Sequence, residues 1–385
     1  MFDYEAYAVA LRRELHRCPE IGFDLPQTLA IVRRELDAMG IEYTEKYGRS
    51  SIVGTINEGK PFTIGLRADM DALPVQEQTG LPFSSQIDGQ MHACGHDTHM
   101  AILLATARML NDRKDEINCR VKLLFTPAEE YITPGAKEMA ENGVMDDIDC
   151  AVTCHIAPTK DVGQIAVIPG GANGNSMGFT IEFFGTTSHA ASQQKGKDAI
   201  MMAVEAISAM QAMVAHEINP VEPRLLNVGS IHGGSTNNVI CDYCKLFCSS
   251  RTHNDEVTQY ILDRATQISE GIAQMNGGSA KVTVNKFLPY VLNNDIMTEK
   301  FKQSAAKVVG EENIFSYKRG LGGEDFAFFS RIKPCVQFHL GARTEDPRSG
   351  KALHNAEFAP DEGALMVGVR TFVRFVMDNM NGIEF

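Results

Sequence analysis

The amino-acid sequence predicts an α/β protein: a catalytic domain with a central mixed sheet flanked by helices, and a smaller α/β unit inserted into it. Two observations carry this prediction. Strand-like apolar runs alternate with helical segments over the first half of the chain, which is typical of a sheet with helices on both faces. From residue 177 the order becomes strand, helix, strand, strand, helix, strand, which is the order of a ferredoxin-like unit.

The chain length supports two domains, because 385 residues exceed the roughly 250–300 residues at which a single core stops growing. We expect the catalytic domain to comprise residues 1–175 and 289–385, and the inserted lid and dimerisation domain to comprise residues 176–288. The second unit is inserted, rather than terminal, because polar motifs of the kind that complete a site return after it, at Gly322-Gly-Glu-Asp325 and Leu353-His-Asn355.

The individual elements follow from periodicity and from glycine and proline positions. Pro26 begins and Gly40 ends a clear helix, in agreement with the usual signals for helix ends. For the first domain the pattern predicts helices over 4–17, 25–39, 99–110 and 136–142 and strands over 51–56, 62–67, 121–125 and 150–155. For the inserted unit it predicts strands over 179–185, 225–231, 240–252 and 280–287 and helices over 196–216 and 256–274.

Composition excludes several classes of partner and location. The net charge of −13 disfavours nucleic acid and anionic membranes as partners. The amino terminus lacks the character of a secretory signal, and we expect no apolar run of about 18 residues that could span a membrane. Nine cysteines without a disulfide-framework pattern indicate a reducing compartment, so a cytoplasmic location is expected.

The most informative motif is residues 91–99, which contain one cysteine, three histidines and one aspartate. Cys94 and His96 are two residues apart, so both side chains can reach one ion, and a thiolate with an imidazole suits zinc or a similar divalent ion. Glu129 and Glu130 follow an apolar strand. At the end of a strand one carboxylate can ligate metal while the other accepts a proton from the attacking water.

Other polar residues are ambiguous when they are taken alone. Asp69 and Asp71 form either part of the site or a carboxylate-rich turn, and His155 ends a core strand where it can serve as a further ligand. His189 follows the first strand of the inserted unit, and His354 carries almost no signal by itself. Three closely spaced cysteines could form an iron–sulfur or zinc site: Cys241, Cys244 and Cys248. The strand predicted there disfavours such a small cluster, because it places the sulfurs on different faces.

Together the motifs resemble those of the metal-dependent amidohydrolase family that contains hippurate, auxin-conjugate and aminobenzoyl-glutamate hydrolases and related carboxypeptidases and aminoacylases. The resemblance runs from end to end. The motifs that carry it occur in the family's order: Leu15-His-Arg-x-Pro-Glu-Ile-Gly22, Arg67-Ala-Asp-Met-Asp-Ala-Leu-Pro74, His92-Ala-Cys-Gly-His-Asp97, Pro127-Ala-Glu-Glu130, Gly322-Gly-Glu-Asp-Phe326 and Leu353-His-Asn355.

This resemblance implies a role for each candidate residue. A pair of divalent ions, zinc or manganese with cobalt or nickel as alternatives, would be held by Cys94, His96, Glu130, His155 and His354. Glu129 would be the general base, and Asp71 would orient a ligand or water. His189 would stabilise the oxyanion, in its own or the partner's active site. Asn238 and Arg251 would hold the substrate carboxylate, and the inserted domain would form a homodimer.

Two departures from the family pattern fall in the inserted unit, where Gln193 and Cys241 stand in place of the family's usual prolines. They bear on substrate choice more than on chemistry. The function that follows is metal-dependent hydrolysis of N-acyl amino acids, with acetyl, benzoyl, aminobenzoyl or similar acyl groups. The alternatives are a dipeptidase or carboxypeptidase of the same family and a non-catalytic, metal-dependent binding protein. The acyl group, the amino acid and the physiological metal are left open by the sequence.

Overall fold

The computed structural model describes residues 2–385, which divide into two compact units. The first unit comprises Met1–Ala172, Val291–Lys318 and Asp325–Phe385, and the second comprises Asn173–Tyr290 and Arg319–Glu324. The short return segment 319–324 in the second unit is a feature that the sequence pattern does not indicate.

The first unit is built on a sheet of ten strands. Its helices are α1 (Tyr4–Arg17), α2 (Pro26–Met39), α3 (His96–Asn111), α4 (Gly135–Glu141), α7 (Asp295–Val309), α8 (Ala327–Ser330) and α9 (Gly363–Asn379). Its strands are β1 (Glu42–Thr44), β2 (Ile52–Ile56), β3 (Thr63–Asp69), β4 (Arg120–Thr126), β5 (Cys150–Asp161), β6 (Ile165–Ala166), β7 (Gly170–Gly171), β14 (Leu292–Asn293), β15 (Ile314–Phe315) and β16 (Cys335–Arg343).

The sheet is mixed, in the order β1-β2-β4-β3-β5-β16-β14-β7, with β6 and β15 joined to its side through β16. Strands β4, β3, β5 and β16 run parallel to one another. Their carboxyl ends therefore meet at one edge of the sheet, which is where ligand sites form in α/β proteins.

Side chains alternate between the two faces of this sheet, as the twofold period of a strand requires. In β4, Val121, Leu123 and Phe125 join a core shared with α1, α2, α3, α7 and α9, whereas Leu124 joins a second core shared with α4 and α8. The fold class is confirmed: a central mixed sheet lies between helices.

The second unit contains a four-stranded antiparallel sheet in the order β10-β12-β8-β13. Its elements are β8 (Asn175–Phe184), β9 (Ser188–His189), α5 (Ala199–His216), β10 (Arg224–Gly233), β11 (Val239–Ile240), β12 (Tyr243–Thr252), α6 (Asp255–Met275) and β13 (Ser279–Leu288). The order β8-α5-β10-β12-α6-β13 is the βαββαβ order of a ferredoxin-like unit.

Several elements differ from the sequence-based expectations. Strand β5 continues to Asp161 rather than ending at residue 155, and α5 begins at Ala199 rather than at residue 196. Helix α3 begins at His96 rather than at residue 99, and the strand expected over 240–252 is divided into β11 and β12. Helix α5 is long and apolar enough, by length and composition alone, to span a membrane, which we did not expect. Within its own unit, α5 packs Met202, Met210 and Met213 into the core.

Candidate metal centre

The candidate site is assembled from the carboxyl ends of β3 and β4, from the middle of β5, and from two loops that pack beside them. Asp69 ends β3 and Asp71 follows it, while Glu129 and Glu130 follow β4 and His155 lies within β5. The loop that enters α3 contributes Cys94 and His96, and the loop between β16 and α9 contributes His354.

Local backbone geometry brings these side chains together. Gly95 has φ +84°, in the left-handed region that favours glycine, and it joins Cys94 to the first residue of α3. Ala128 and His354 also adopt positive φ, 58° and 67°, although such conformations cost about 1–3 kcal/mol in residues other than glycine. Backbone of this kind concentrates at functional sites.

Six of the predicted residues converge. Their ligand-type atoms form three overlapping groups, in each of which all atoms lie within 4.8 Å of one another: Cys94, His96 and His155; Cys94, Glu130 and His354; His96, Glu129 and Glu130. Because Cys94, His96 and Glu130 each belong to two groups, the donor set has the composition of two neighbouring cation sites rather than one.

Hydrogen bonds fix the orientation of the two buried imidazoles. His96 donates from Nδ1 to the carbonyl oxygen of Asp71 at 2.8 Å, and His155 donates from Nδ1 to the carbonyl oxygen of Ile156 at 2.8 Å. When neutral, each ring therefore has its lone pair on Nε2. His96 Nε2 is buried and has no hydrogen-bond partner among residues 2–385, and His155 Nε2 lies 3.5 Å from Cys94 Sγ. Metal-ligating histidines are oriented in this way.

The pKa values of the site fit a cation. Burial raises the pKa of the Cys94 thiol well above its usual range, and the charge of Glu130 adds to this effect. Burial alone would also raise the pKa of Glu130, but His354, whose Nε2 lies 2.9 Å from the carboxylate, and the charge of His96 lower it to about 2. At neutral pH the buried Cys94 therefore stays a thiol unless positive charge is added beside it, and a bound cation would supply that charge.

Asp71 connects two of the loops. Its Oδ1 accepts the backbone N–H of Glu129 at 2.9 Å, and its Oδ2 accepts the backbone N–H of Glu130 at 3.1 Å. Asp71 is buried, and burial raises the pKa of its carboxyl group. The side chain of Asp71 thus fixes the backbone of both glutamates, and its backbone carbonyl oxygen fixes the ring of His96.

Asp69 and His99 lie beside the site but have different partners. His99 donates from Nδ1 to Asp69 at 2.6 Å, and its Nε2 accepts the N–H of Ile156 at 3.0 Å, so both ring nitrogens are engaged. Asp69 also accepts from Arg67 at 2.6 Å, and Arg67 bonds Asp325 at 2.5 Å. Asp69 and His99 are therefore structural supports of the site.

Three further supports were missed by sequence reasoning: Arg12, His16 and Glu77. Asp97, next to His96, faces away from the ligands and bonds Arg12 at 3.3 Å and His16 at 2.9 Å. His16 in turn lies 3.2 Å from Glu77. Only the sequence motif around His16 could have indicated these supports, because the partners of His16 are 61 and 81 residues away in the chain.

The residues predicted in the second unit do not all lie together. His189 pairs with Val239 between β9 and β11, directly beside the exposed Asn238. Strand β12 begins at Tyr243, three residues after the end of β11, and the half-buried Arg251 lies near its carboxyl end. The eight residues between Tyr243 and Arg251 correspond to about 27 Å along an extended strand. One small substrate therefore cannot touch His189, Asn238 and Arg251 of the same chain.

The cysteines of the second unit do not form a metal site. Cys244 and Cys248 are both buried in the apolar core. Among residues 2–385, none of the groups of closely spaced metal-ligand atoms includes either of them or Cys241.

Comparison with known proteins identifies the family. A family model described as peptidase family M20/M25/M40 matches residues 65–378. The chain is similar to thermostable carboxypeptidase 1 of Saccharolobus solfataricus, with 33% identity over 373 residues, 95% of this chain and 93% of that protein. It is also similar to N-acetylcysteine deacetylase of Bacillus subtilis, with 32% identity over 373 residues, 96% of each chain.

A solved structure agrees with these relatives. The Bacillus subtilis protein YxeP, described as a dinuclear metal-binding peptidase of family M20, superposes with a TM-score of 0.82 at 29% identity and covers 99% of both chains. The fold and the family define a metal-dependent hydrolase that acts on amide bonds. The chain belongs to peptidase family M20/M25/M40, which confirms the resemblance stated from its motifs.

Proposed function

We propose that this protein hydrolyses the amide bond that joins an acyl group, such as acetyl, benzoyl or aminobenzoyl, to the nitrogen of an amino acid. The observation that carries the proposal is the pair Glu129 and Glu130, one of which can bind metal while the other accepts a proton within the same group of ligand atoms. Similarity over the whole chain to a protein named N-acetylcysteine deacetylase supports this substrate class.

We infer that two divalent ions, zinc or manganese with cobalt or nickel as alternatives, are the cofactors. The inferred ligands are Cys94, His96, Glu130, His155 and His354, and the oriented lone pairs of His96 and His155 support them. When bound, such ions act as Lewis acids and lower the pKa of water to near neutrality. A reducing, cytoplasmic setting would keep Cys94 available as a ligand, and no disulfide joins any of the nine cysteines among the described residues.

Glu129 is proposed as the general base. Its carboxylate accepts the proton of the water that attacks the amide carbon and then delivers this proton to the nitrogen of the leaving amine. Asp71 keeps this carboxylate in place, because it accepts the backbone N–H groups of both Glu129 and Glu130. Glu129 is also buried, which limits competing contacts with bulk water.

We propose that the active site is completed by a second copy of the chain through the inserted unit. His189 accepts the N–H of Ala191 on Nδ1 at 3.0 Å, so its exposed Nε2–H can donate to an oxyanion. Arg251 has no carboxylate partner within residues 2–385 and can bind the substrate carboxylate bidentately. The separation between Arg251 and the His189–Asn238 pair supports a homodimer in which the two groups serve different subunits' sites.

One of the two alternatives has specific support. Similarity to a protein named thermostable carboxypeptidase favours a dipeptidase or carboxypeptidase that cleaves the same kind of bond. A non-catalytic metal-dependent binding protein is the other candidate. Glu129 argues against it, because a binding protein has no need of a buried proton acceptor beside its metal ligands.

The test is amine release from a panel of N-acetyl, N-benzoyl and aminobenzoyl amino acids and dipeptides by apo-protein reconstituted with zinc or with manganese. We expect turnover that requires metal, with Glu129→Gln retaining two ions per chain and losing nearly all activity. Glu141→Gln is the matched control, because Glu141 is exposed and pairs only with Lys137 on α4. Full activity in Glu129→Gln, or metal-independent turnover, contradicts the mechanism.

A further inference from the structure

His339 is a half-buried histidine that the proposed chemistry does not use. It lies in β16 in register with His155 of the neighbouring parallel strand β5. Residues in register on adjacent parallel strands present their side chains on the same face of the sheet. The two ring centroids are accordingly 6.5 Å apart at an angle of 70°, so His339 lies directly beside one of the inferred metal ligands.

The ring of His339 is held by stacking. Tyr317, which follows β15, lies over it with a centroid distance of 4.3 Å and an interplanar angle of 24°. Stacked ring pairs of this kind contribute about 0.5–1.5 kcal/mol beyond the burial of their area. Tyr317 therefore covers one face of the imidazole, and the two ring nitrogens, which lie at the edge of the ring, are not covered by this contact.

Within residues 2–385, neither ring nitrogen of His339 takes part in a hydrogen bond, and neither is sealed from solvent. The nearby histidines differ: both nitrogens of His99 are engaged, and Nδ1 of His155 is engaged. A side chain needed only for packing on Tyr317 could be phenylalanine, which avoids the cost of partly desolvating two polar atoms. The nitrogens of His339 are thus available to a ligand.

We propose that His339, held by Tyr317, recognises the substrate by a hydrogen bond to a polar substituent on its acyl group. The inference rests on the proposed function, in which residues of the second unit hold the amino-acid carboxylate and the acyl group is left to the first unit, where His339 lies. The favoured acyl groups carry a hydroxyl, amino or amide group rather than hydrocarbon alone. A site built to hydrogen-bond a substrate discriminates against analogues that lack the partner.

The experiment compares acyl groups of matched shape on one amino acid: 4-aminobenzoyl with 4-methylbenzoyl, and glycolyl with propionyl. For the metal-loaded wild-type enzyme we expect kcat/KM to favour the polar member of at least one pair. His339→Phe, which keeps a ring against Tyr317, is expected to reduce that preference about three- to tenfold, the value of one net hydrogen bond. It should leave kcat/KM for the hydrocarbon member nearly unchanged. His216→Phe, a substitution of an exposed histidine at the end of α5, should alter neither value.

An unchanged preference in His339→Phe overturns the proposal, and so does an equal loss on both members of a pair, which would indicate a structural role. Hydrolysis of both members by the wild type, with no effect of the substitution on their ratio, rejects this inference while the proposed function stands. If the wild type hydrolyses no amide, the proposed function fails instead. The inference is then tested by calorimetric binding of 4-aminobenzoate and 4-methylbenzoate to the metal-loaded wild type and His339→Phe, where an equal preference in both proteins overturns it.

Discussion

The carboxylate of Asp71 accepts the backbone N–H of Glu129 at 2.9 Å, which ties the loop after β3 to the loop after β4. Because the second carboxylate oxygen accepts the N–H of Glu130, one buried side chain fixes both members of the glutamate pair. The position of the proposed base therefore depends on a residue that is itself buried.

Asp71→Asn is expected to reduce turnover by about 10–100-fold, the usual cost of removing a support for metal ligands. The amide NH2 group cannot accept the N–H of Glu129 or Glu130, so one buried donor loses its partner at a cost of about 1–3 kcal/mol. Asp149→Asn is the matched control, because Asp149 also accepts a backbone N–H, that of Thr63 at 2.7 Å, at the start of β5. Metal content and kcat measured for both variants test the prediction, and similar kcat values in the two contradict it.

Much of the site was predictable because its signals are local in the chain. Cys94 and His96 lie two residues apart, and Glu129 and Glu130 follow one strand end, so spacing alone brings the members of each pair close together. The strand and helix order was predictable for the same reason, since periods of two and 3.6 residues are local properties.

Supports that join distant segments, unlike Asp71, were not predictable, because they depend on how these segments pack. Arg67 contacts Asp325 across 258 residues, and His16 contacts Asp97 across 81. No spacing rule relates residues at such separations. His354 likewise carried no signal of its own, because only the fold of the loop before α9 brings it to Glu130.

Removal of the Asp325 carboxylate is expected to destabilise the protein by about 3–5 kcal/mol, the usual cost of removing one partner of a buried ion pair. Arg67 keeps Asp69 but loses its second carboxylate. Arg67 and Asp325 are both fully buried, and Asp325 also accepts the N–H of Ala136 in the first turn of α4 at 2.9 Å. Chemical denaturation of Asp325→Ala measures the loss.

The control for this prediction is Glu45→Ala, which removes the partner of Arg33 from a surface pair whose side chains are 37% and 39% exposed. Exposed pairs contribute at most about 1 kcal/mol. Equal losses of unfolding free energy in the two variants would contradict the prediction, because the buried pair would then stabilise the protein no more than the exposed pair.

His16 is expected to make stability fall as pH rises above neutrality. Burial alone would lower the pKa of His16, but the charge and hydrogen bond of Asp97, together with Glu77, raise it to about 9. A group whose folded pKa exceeds its unfolded value of about 6.5 stabilises fully below pH 6.5, and this contribution is lost as pH rises through about 9. The expected contribution is about 3 kcal/mol.

Urea unfolding at pH values from 6 to 9, with a chelator present so that metal binding adds no pH dependence, checks this expectation. In His16→Gln the decline between pH 6.5 and 9 should become shallower by most of that contribution. His232→Gln, at an exposed position of β10, should reproduce the wild-type slope. An identical decline in His16→Gln would mean that other groups cause it.

Gly135→Ala is expected to destabilise the protein and reduce turnover together. A Cβ atom at Gly135 would lie 2.0 Å from the carbonyl oxygen of Pro127 and 2.8 Å from its Cγ, so the backbone on one side must move. Pro127 is two residues before Glu129, and the intervening Ala128 already has a positive φ of 58°, which leaves this loop little freedom to adjust. We expect a loss of about 1–3 kcal/mol in the free energy of unfolding and a fall in kcat as Glu129 shifts.

Gly271→Ala in α6 is the matched control, because no atom outside the helix's own backbone lies within 4 Å of the added Cβ. A helical glycine-to-alanine change there should stabilise the protein by about 0.5–1 kcal/mol. Unfolding midpoints and kcat of the two variants, measured side by side, decide the matter, and a Gly135→Ala protein with wild-type kcat would show that the loop absorbs the displacement without moving Glu129.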